Sequence, residues 1–494
     1  FKDIQDDPAR KDEYFADKDK KEDSVFDPKD YVSEDDLTTH SGNITGVELG
    51  SDEENQETDI NSDNSSLSPE LDGIGTGLQN TLEIVSGCAE IPIAASEVLD
   101  FESNGFDAKR LSNLTLKLKE LSDTKQIPGS VTLITRNNQI VYHEAFGYSD
   151  FENKIPMTKD KIFRIASQTK FVTAVAIMML QERGELVTSD KVSKFIPEFK
   201  ETAVAIKTDN GYKVVPAIRE VTIKDLLTHT SGIGYGFGIA SQEWINADIQ
   251  GFYTADRNET ILETVKKIAK LPHNAHPGTE YVYGYSFDIL GAVVEVVSGQ
   301  SFEDFLKTNI FDPLDMVDTS FYLPISKKDR FTTVYLYSEK DGFERAPDNG
   351  TYDAQGKHYV YGPKKSFSGG AGLLSTSTDF SKLLLMMINV GKHGDTQILS
   401  RKSIELMTKD NLGDVKFPYA GMGFGLGVQV IKNRASLSVL GSDGEYVGGG
   451  AYRTEFWVDP KEDITGIILV QLRDPQYNLR FHDTIKTLIY QALR

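Results

Sequence analysis

Apolar residues recur at helical spacing over residues 108–121, where Leu111, Leu114, Leu118 and Leu121 fall on one face, so the folded part of the chain opens with a helix that Pro128-Gly129 ends. The period then shortens. Residues 131–136 and 140–145 alternate around Asn137-Asn138, the pattern of a hairpin. A long apolar segment runs from 166 towards 186, with Val172, Val175, Ala176, Met179 and Leu180 at the spacing of a buried helix. From 189 to about 361 the pattern becomes helices and irregular loops, with helical stretches at 259–270, 287–298 and 302–310, and further helices follow at 380–390 and 400–408. Strand patterns return at 424–431, 452–458 and 465–472, and a helix over 482–493 closes the chain. Strands near both ends with helices between them predict an α/β chain of the α+β kind: one unit over 106–494, its sheet built from the two ends and a helical region at about 189–361, with a cleft between the two parts.

Charge alters this picture at one end. Of 494 residues, the first 100 hold 27 Asp and Glu against 7 Lys and Arg, which is −20 of the formal −22. No Lys or Arg occurs between Asp30 and Asp100. Such a stretch buries too little apolar surface to offset the entropy of ordering, so residues 1–105 are expected to be a largely disordered acidic segment. An acidic chain without a basic patch argues against a nucleic-acid partner, and with no run of about 18 apolar residues no segment is expected to span a membrane. The single cysteine, Cys88, excludes an internal disulfide and a multi-cysteine metal site. Two weak motifs lie in the acidic segment. Val85-Ser86-Gly87-Cys88 is like a lipoprotein cleavage box without a basic region before it, and Asp59-x-Asn61-x-Asp63 with Glu70 departs from a calcium loop at Asn64, where glycine belongs. Neither is taken as a site, and no metal or cofactor is expected. The start at Phe1 instead of Met, with Asn-x-Ser/Thr sequences at Asn43, Asn64, Asn113, Asn258 and Asn349, sets the expectation of an exported protein, periplasmic or secreted.

Candidate chemistry centres on Ser167-Gln168-Thr169-Lys170. On a helix that starts near Ala166, the Ser167 hydroxyl and the Lys170 amine share one face. The helix start adds partial positive charge and N–H groups where an alkoxide would form, which gives a nucleophile with a base beside it. A second Ser-x-x-Lys, Ser122 to Lys125, is followed by the helix-ending Gln126-Ile127-Pro128-Gly129. A capping Ser167 with a solvated Lys170 is the competing reading. Tyr283 stands in a glycine-containing loop ahead of a helix, within Pro277-Gly278-Thr279-Glu280-Tyr281-Val282-Tyr283-Gly284-Tyr285-Ser286. As a phenolate, or sharing a proton with Lys170, it is suited to take the Ser167 proton and hand it to a leaving group; a buried, satisfied tyrosine is the alternative. The run Gly448-Gly449-Gly450 lets backbone approach a ligand, and the Ala451 N–H is placed to join that of Ser167 as an oxyanion hole, unless the run is a plain bulge or turn. His229, after a helix, reads as a structural loop histidine.

Taken in order, SQTK at Ser167, LLTHTSG at Leu226, PGTEYVYGYSFDILG at Pro277, SGGAGLLST at Ser368 and EYVGGGAYRTEFWVDP at Glu445 make the chain resemble the serine β-lactamase-like family: class C β-lactamases, penicillin-binding D-alanyl peptidases and family VIII carboxylesterases. The resemblance spans about 106–494. It implies a β-lactamase/transpeptidase-like fold, an antiparallel sheet flanked by helices plus a mostly helical region, with Ser167 as nucleophile and Lys170 and Tyr283 as the base pair. Lactamases of this type carry Tyr-x-Asn and Lys-Thr-Gly, where this chain has Tyr285 and Gly448-Gly449-Gly450. Esterases of the family have a hydrophobic residue and Trp-Gly-Gly, so the chain stands nearer to them, and Gly448 in place of the tryptophan either widens the site or leaves room for Tyr446 or Tyr452. The implied activity is hydrolysis of small ester substrates through an acyl-enzyme, with Ser167, Ala451, Gly449, Gly450 and Tyr285 lining the oxyanion and substrate site. The alternatives are a D-amino acid peptidase or weak β-lactamase acting on amides, and a non-catalytic binding or assembly member of the family.

Overall fold

Strands that alternate apolar side chains between two faces need cover on both, and helices from opposite parts of this chain supply it. The computed structural model describes residues 101–251, 255–350, 352–474 and 479–494. The acidic segment up to residue 100, with Cys88 and the calcium-loop-like residues 59–70, lies outside the described residues. Eight antiparallel strands run from edge to edge in the order Met422–Phe424, Gln429–Ile431, Tyr446–Gly450, Thr454–Asp459, Ile464–Val470, Gly129–Arg136, Gln139–Asp150 and Ile155–Pro156. Gly129–Arg136 pairs with Ile464–Val470, so the beginning and the end of the folded chain meet in the middle of the sheet. The predicted hairpin forms there, its turn made by Asn137 and Asn138 at φ of 52° and 62°, the left-handed pair that a tight turn between twisted strands requires.

The two faces part cleanly along each strand. Val131, Leu133, Phe456, Val458, Ile467 and Leu469 join a large core with the helices Thr169–Glu182, Ser286–Ser298 and Ser377–Ile388. Ile134, Trp457, Ile464, Ile468 and Val470 face the other way, onto Ala108–Asp123 and Leu479–Tyr490. Leu114 and Leu118 of the first helix are fully buried there, each stabilising the fold by roughly 2 kcal/mol. The helix Thr169–Glu182 lies in the larger core with every side chain from Thr169 to Leu180 buried, as its all-round apolar composition demands. Gly184, at φ 73°, stops it.

The structure corrects three expectations. The region 189–361 carries helices but also the hairpin Ala203–Thr208 with Gly211–Pro216, and the ribbon Tyr335–Ser338 with Gly342–Arg345, which Leu472–Arg473 joins in parallel. Its turns are spelled Asp209-Asn210-Gly211 and Asp341-Gly342, short signals inside a stretch otherwise helical in pattern. The single strand expected at 424–431 is two strands. Gly427, at φ 82°, breaks it, because a Cβ there would lie 2.6 Å from the Ala174 Cβ on the buried helix. The Gly427 N–H donates to the Leu227 carbonyl at 3.0 Å, a bond across elements that a continuous strand would forfeit. Last, neither Tyr446 nor Tyr452 takes the place left by Gly448. Tyr446 packs on Phe171 at 6.4 Å, and Tyr452 lies under the Arg164 guanidinium at 4.5 Å.

Gly448 pairs across the strands with Phe456, and a Cβ on Gly448 would sit 2.5 Å from that ring. Phe456 itself is held by Phe171 and Phe380, at 4.9 and 5.2 Å, and cannot retreat. Gly448→Ala is therefore expected to destabilise the protein by about 1–3 kcal/mol through overpacking. In a Phe456→Leu background the same change is expected to be smaller, a positive coupling readable by chemical unfolding of the four members of the cycle. Strict additivity would contradict the packing described.

Candidate active site

The segment before Ser167 is pinned on both sides. Phe163–Arg164 pairs with Leu374–Ser375, the Arg164 N–H donates to Gln471 Oε1 at 2.8 Å, and its buried guanidinium donates to the Ala354 carbonyl at 2.8 Å. Ala166 then takes φ 45°, a left-handed conformation unfavourable for a residue with a Cβ. A single 3₁₀ turn, Ala166–Gln168, leads into the helix Thr169–Glu182, so the serine lies just ahead of the helix and not on one that starts near Ala166. Of residues 161–180 all are buried except Ser167, which is half-exposed. The chain has thus turned one hydroxyl towards solvent from an otherwise dry segment. Ser122 and Lys125 meet no such fate: Lys125 lies past the helix end at φ 56°, its amine over the Phe151 ring at 5.2 Å.

Lys170 is 3% exposed, and its amine reaches three oxygens: Ser167 Oγ at 3.2 Å, the Tyr235 hydroxyl at 3.0 Å and the Gly370 carbonyl at 2.8 Å. Burial lowers its pKa to about 7, with Asp288 pulling the other way. A neutral amine has two N–H groups and one lone pair. The Gly370 carbonyl can only accept, so it fixes one N–H; Tyr235 takes the second, and the lone pair is left facing the Ser167 hydroxyl. Such a group can receive the serine proton.

Tyr283 lies half-buried beside this pair, its ring centroid 4.5 Å from the Lys170 amine. Burial raises the pKa of its phenol, against the pull of hydrogen bonding with Ser167 and Tyr235, so the resting group is a neutral phenol and not the phenolate that one reading of the sequence allowed. Behind it stands His229, fully buried at φ 55°, with its ring 4.4 Å from the Tyr283 ring and 5.1 Å from Phe287. Neither nitrogen of His229 has a hydrogen-bond partner among the described residues, and burial together with the nearby Lys170 keeps the imidazole neutral. It serves as an aromatic wall, consistent with a structural loop histidine.

Tyr285 is not turned to this site, which corrects the expectation of a substrate contact. Its ring is buried, stacked on Trp244 at 6.1 Å, and its hydroxyl donates to the Gly251 carbonyl. A second phenol at Lys170, the one hydrogen-bonded to its amine, belongs to Tyr235, which the sequence reading missed. A signal existed: Gly232-Ile233-Gly234-Tyr235-Gly236-Phe237-Gly238 alternates glycine around one tyrosine. Gly232, Gly236 and Gly238 take φ of 79°, 84° and 121°, and a Cβ on Gly232 would lie 1.9 Å from the Ala275 carbonyl oxygen. Those glycines bring the loop close enough for Tyr235 to reach the amine.

The strand Tyr446–Gly450 ends against the nucleophile turn. A Cβ on Gly450 would lie 2.4 Å from the Ile165 carbonyl oxygen, so only glycine permits this approach. Gly449 is half-exposed, and Ala451, next along, packs in a small cluster with Ala166, Val334, Ala346 and Tyr452. Gly450 and Ala451 therefore lie against the turn that carries Ser167. Among the described residues, no three His, Cys, Asp or Glu side chains are grouped to hold a metal ion.

A half-exposed serine at a strained helix start, a buried lysine one turn on, a neutral tyrosine from a second loop and a glycine strand closing the fourth side define a serine hydrolase of the β-lactamase class. The Beta-lactamase family profile matches residues 114–487, and the chain belongs to that family. It is 30% identical over 366 residues to Protein Rv1367c of Mycobacterium tuberculosis (strain H37Rv), a match covering 72% of this chain and 88% of the relative. Esterase EstB of Burkholderia gladioli is 27% identical over 390 residues, covering 72% and 91%. Among solved structures, EstCE1, described as a hydrolase with promiscuous acyltransferase activity, matches with a TM-score of 0.68 at 25% identity over 77% of this chain and 99% of its own.

If Tyr235 holds one N–H of Lys170, Tyr235→Phe removes that partner while keeping the ring and its packing. The expected result is a fall in turnover of about 10- to 100-fold with KM little changed. Steady-state kinetics on an ester of p-nitrophenol reads it, and an unchanged kcat would remove Tyr235 from the site.

Proposed function

We propose that this chain hydrolyses small carboxylic esters through an acyl-enzyme formed on Ser167. The observation that carries this reading is the buried Lys170 amine, held by Gly370 and Tyr235 with its remaining position on Ser167 Oγ. In the proposed sequence Lys170 takes the serine proton as Ser167 Oγ attacks the ester carbonyl. The N–H groups of Ser167 and Ala451 receive the oxyanion, with Gly449 and Gly450 shaping the strand beside it. As the tetrahedral intermediate collapses, the Tyr283 phenol gives its proton to the departing alkoxide and regains one from Lys170. Water then attacks the acyl group by the same route in reverse.

Esters are favoured over amides of D-amino acids by what stands at two positions. Tyr285 presents no side-chain amide, being committed to Gly251, and Gly448 carries no cation for a substrate carboxylate. EstB, an esterase by name, is similar over most of the chain. A peptidase, a weak β-lactamase and a non-catalytic member of the family are the outcomes a direct experiment separates.

Purified protein incubated with p-nitrophenyl acetate and butyrate is expected to release p-nitrophenol, and Ser167→Ala to abolish the release. Equal rates in the two would sink the assignment. Turnover of nitrocefin, or covalent labelling by a fluorescent penicillin without ester hydrolysis, would instead favour the amide reading, and failure of a fluorophosphonate to modify Ser167 the non-catalytic one. The pH dependence follows from the lysine. Because the working base is the neutral amine, kcat/KM is expected to rise with pH, to be half-maximal near the Lys170 pKa of about 7 and to level above it. A profile flat between pH 5 and 9 would exclude Lys170 as the base.

A further inference from the structure

The acid Asp288 takes no part in the chemistry above, yet it meets the segment Ser368-Gly369-Gly370-Ala371-Gly372, whose Gly370 carbonyl holds the Lys170 amine. Asp288 is wholly buried on the helix Ser286–Ser298. Its Oδ1 accepts the Ser368 hydroxyl at 2.5 Å and the Gly370 N–H at 3.3 Å. The Ser368 hydroxyl oxygen in turn accepts the Ala371 N–H at 3.1 Å, closing a small turn around the carboxylate. From that turn the Gly370 carbonyl points back to receive the Lys170 amine at 2.8 Å, and the Gly369 carbonyl receives the Thr173 hydroxyl, one helical turn further on, at 2.8 Å.

The glycines are there for proximity. A Cβ on Gly370 would lie 2.4 Å from Asp288 Oδ2, and one on Gly369 would lie 2.3 Å from the Phe287 carbonyl oxygen. Oδ2 has no hydrogen-bond partner among the described residues. A buried carboxylate with one satisfied oxygen is costly unless a positive charge lies close by. The groups that face Lys170 are Ser167 on its own element, Tyr235 and His229 on the 228–238 loop, Tyr283 on the 279–286 loop and Asp288 on the helix after it. The turn 368–372 offers it a carbonyl. Of these, Asp288 is the acid that acts on the amine.

We propose that Asp288 is the positioning residue and counter-charge of Lys170: its carboxylate fixes the 368–372 turn, and the turn's Gly370 carbonyl orients the amine. The proposal rests on Lys170 being the base. It assigns a role to the glycine motif at Ser368, and it makes the acidic limit of activity a property of Asp288. Burial favours the neutral amine and Asp288 favours the charged one, so removing the charge is expected to leave Lys170 neutral down to lower pH.

The test compares Asp288 with Asp288→Asn, whose amide oxygen can still accept from Ser368 and Gly370. Two readouts are needed. The first is acetylation of Lys170 by acetic anhydride across pH, in a Ser167→Ala background so that no acyl group passes through the serine, quantified by peptide mass spectrometry. The midpoint is expected to move down by about one pH unit or more in Asp288→Asn. The second is the acidic limb of kcat/KM for p-nitrophenyl butyrate, expected to move the same way. A midpoint that stays in place or rises overturns the proposal. If both limbs stay put while Ser167-dependent hydrolysis is intact, the esterase reading survives and the Asp288 role fails. If no ester is turned over but the acetylation midpoint still falls, the Asp288 role stands and the esterase reading fails. Should Asp288→Asn not fold, Ser368→Ala withdraws the short hydrogen bond that favours the carboxylate and is expected to shift the midpoint in the same direction by less.

Discussion

A lysine amine taken out of water is the constraint on which the rest of this site depends. Burial discourages its charge, and only a neutral amine can accept the proton of the serine beside it. Everything around Lys170 follows from keeping that amine dry yet oriented. The helix Thr169–Glu182 is buried at every position from Thr169 to Leu180, so the amine emerges into protein and not solvent. Its hydrogen-bond needs are met by a backbone carbonyl and a tyrosine hydroxyl, neither of which carries charge. The one nearby acid lies beneath the turn that supplies the carbonyl, where it tempers the loss of charge without occupying the amine's working side.

Close packing of backbone against backbone is the means by which these groups converge. Gly232 brings the Tyr235 loop onto residue 275, Gly370 admits the Asp288 carboxylate, Gly427 passes over Ala174, and Gly450 meets the Ile165 carbonyl. A methyl group at any of them would intrude on atoms less than 3 Å away, three of these contacts being with backbone oxygen or a buried Cβ. Gly427 and Gly450 thus hold their segments against the helix Thr169–Glu182 and the turn before it, while Gly232 and Gly370 pack their loops onto residue 275 and Asp288. The strain at Ala166 belongs to the same design: its left-handed φ turns Ser167 outward from a segment that is otherwise buried.

An aromatic shell completes the site. His229, Tyr283, Phe287, Phe424 and Tyr281 pack ring against ring around the histidine at 4.4 to 5.7 Å. The shell raises the pKa of Tyr283 by desolvation, so the phenol keeps its proton at rest. A neutral histidine suits this wall better than a charged one, since an imidazolium would be buried without a partner beside Lys170.

Much of this was legible in the order of residues. The 3.6-residue spacing from Leu111 to Leu121, the two-residue alternation around Asn137-Asn138 and the three-residue step from Ser167 to Lys170 are local periodicities, and local periodicity survives folding because it fixes which side chains share a face. The motifs at Ser167, Pro277, Ser368 and Glu445 named the elements that converge. What the sequence could not decide was which tyrosine faces the amine. Tyr235, Tyr281, Tyr283 and Tyr285 are similar in chemistry and all lie in glycine-containing loops. Only the path of two loops across the helical region sends Tyr235 and Tyr283 to Lys170 and turns the Tyr285 hydroxyl to Gly251. The same holds for Gly448, whose missing side chain reads as open space in sequence and proves to be filled by Phe456 from the neighbouring strand. The pairing of Ser167 with Lys170 was set by a three-residue step along the chain, whereas Tyr235, the Gly370 carbonyl and the Asp288 beneath it were brought together by contacts between residues 65 to 200 positions apart, which tertiary packing alone determines.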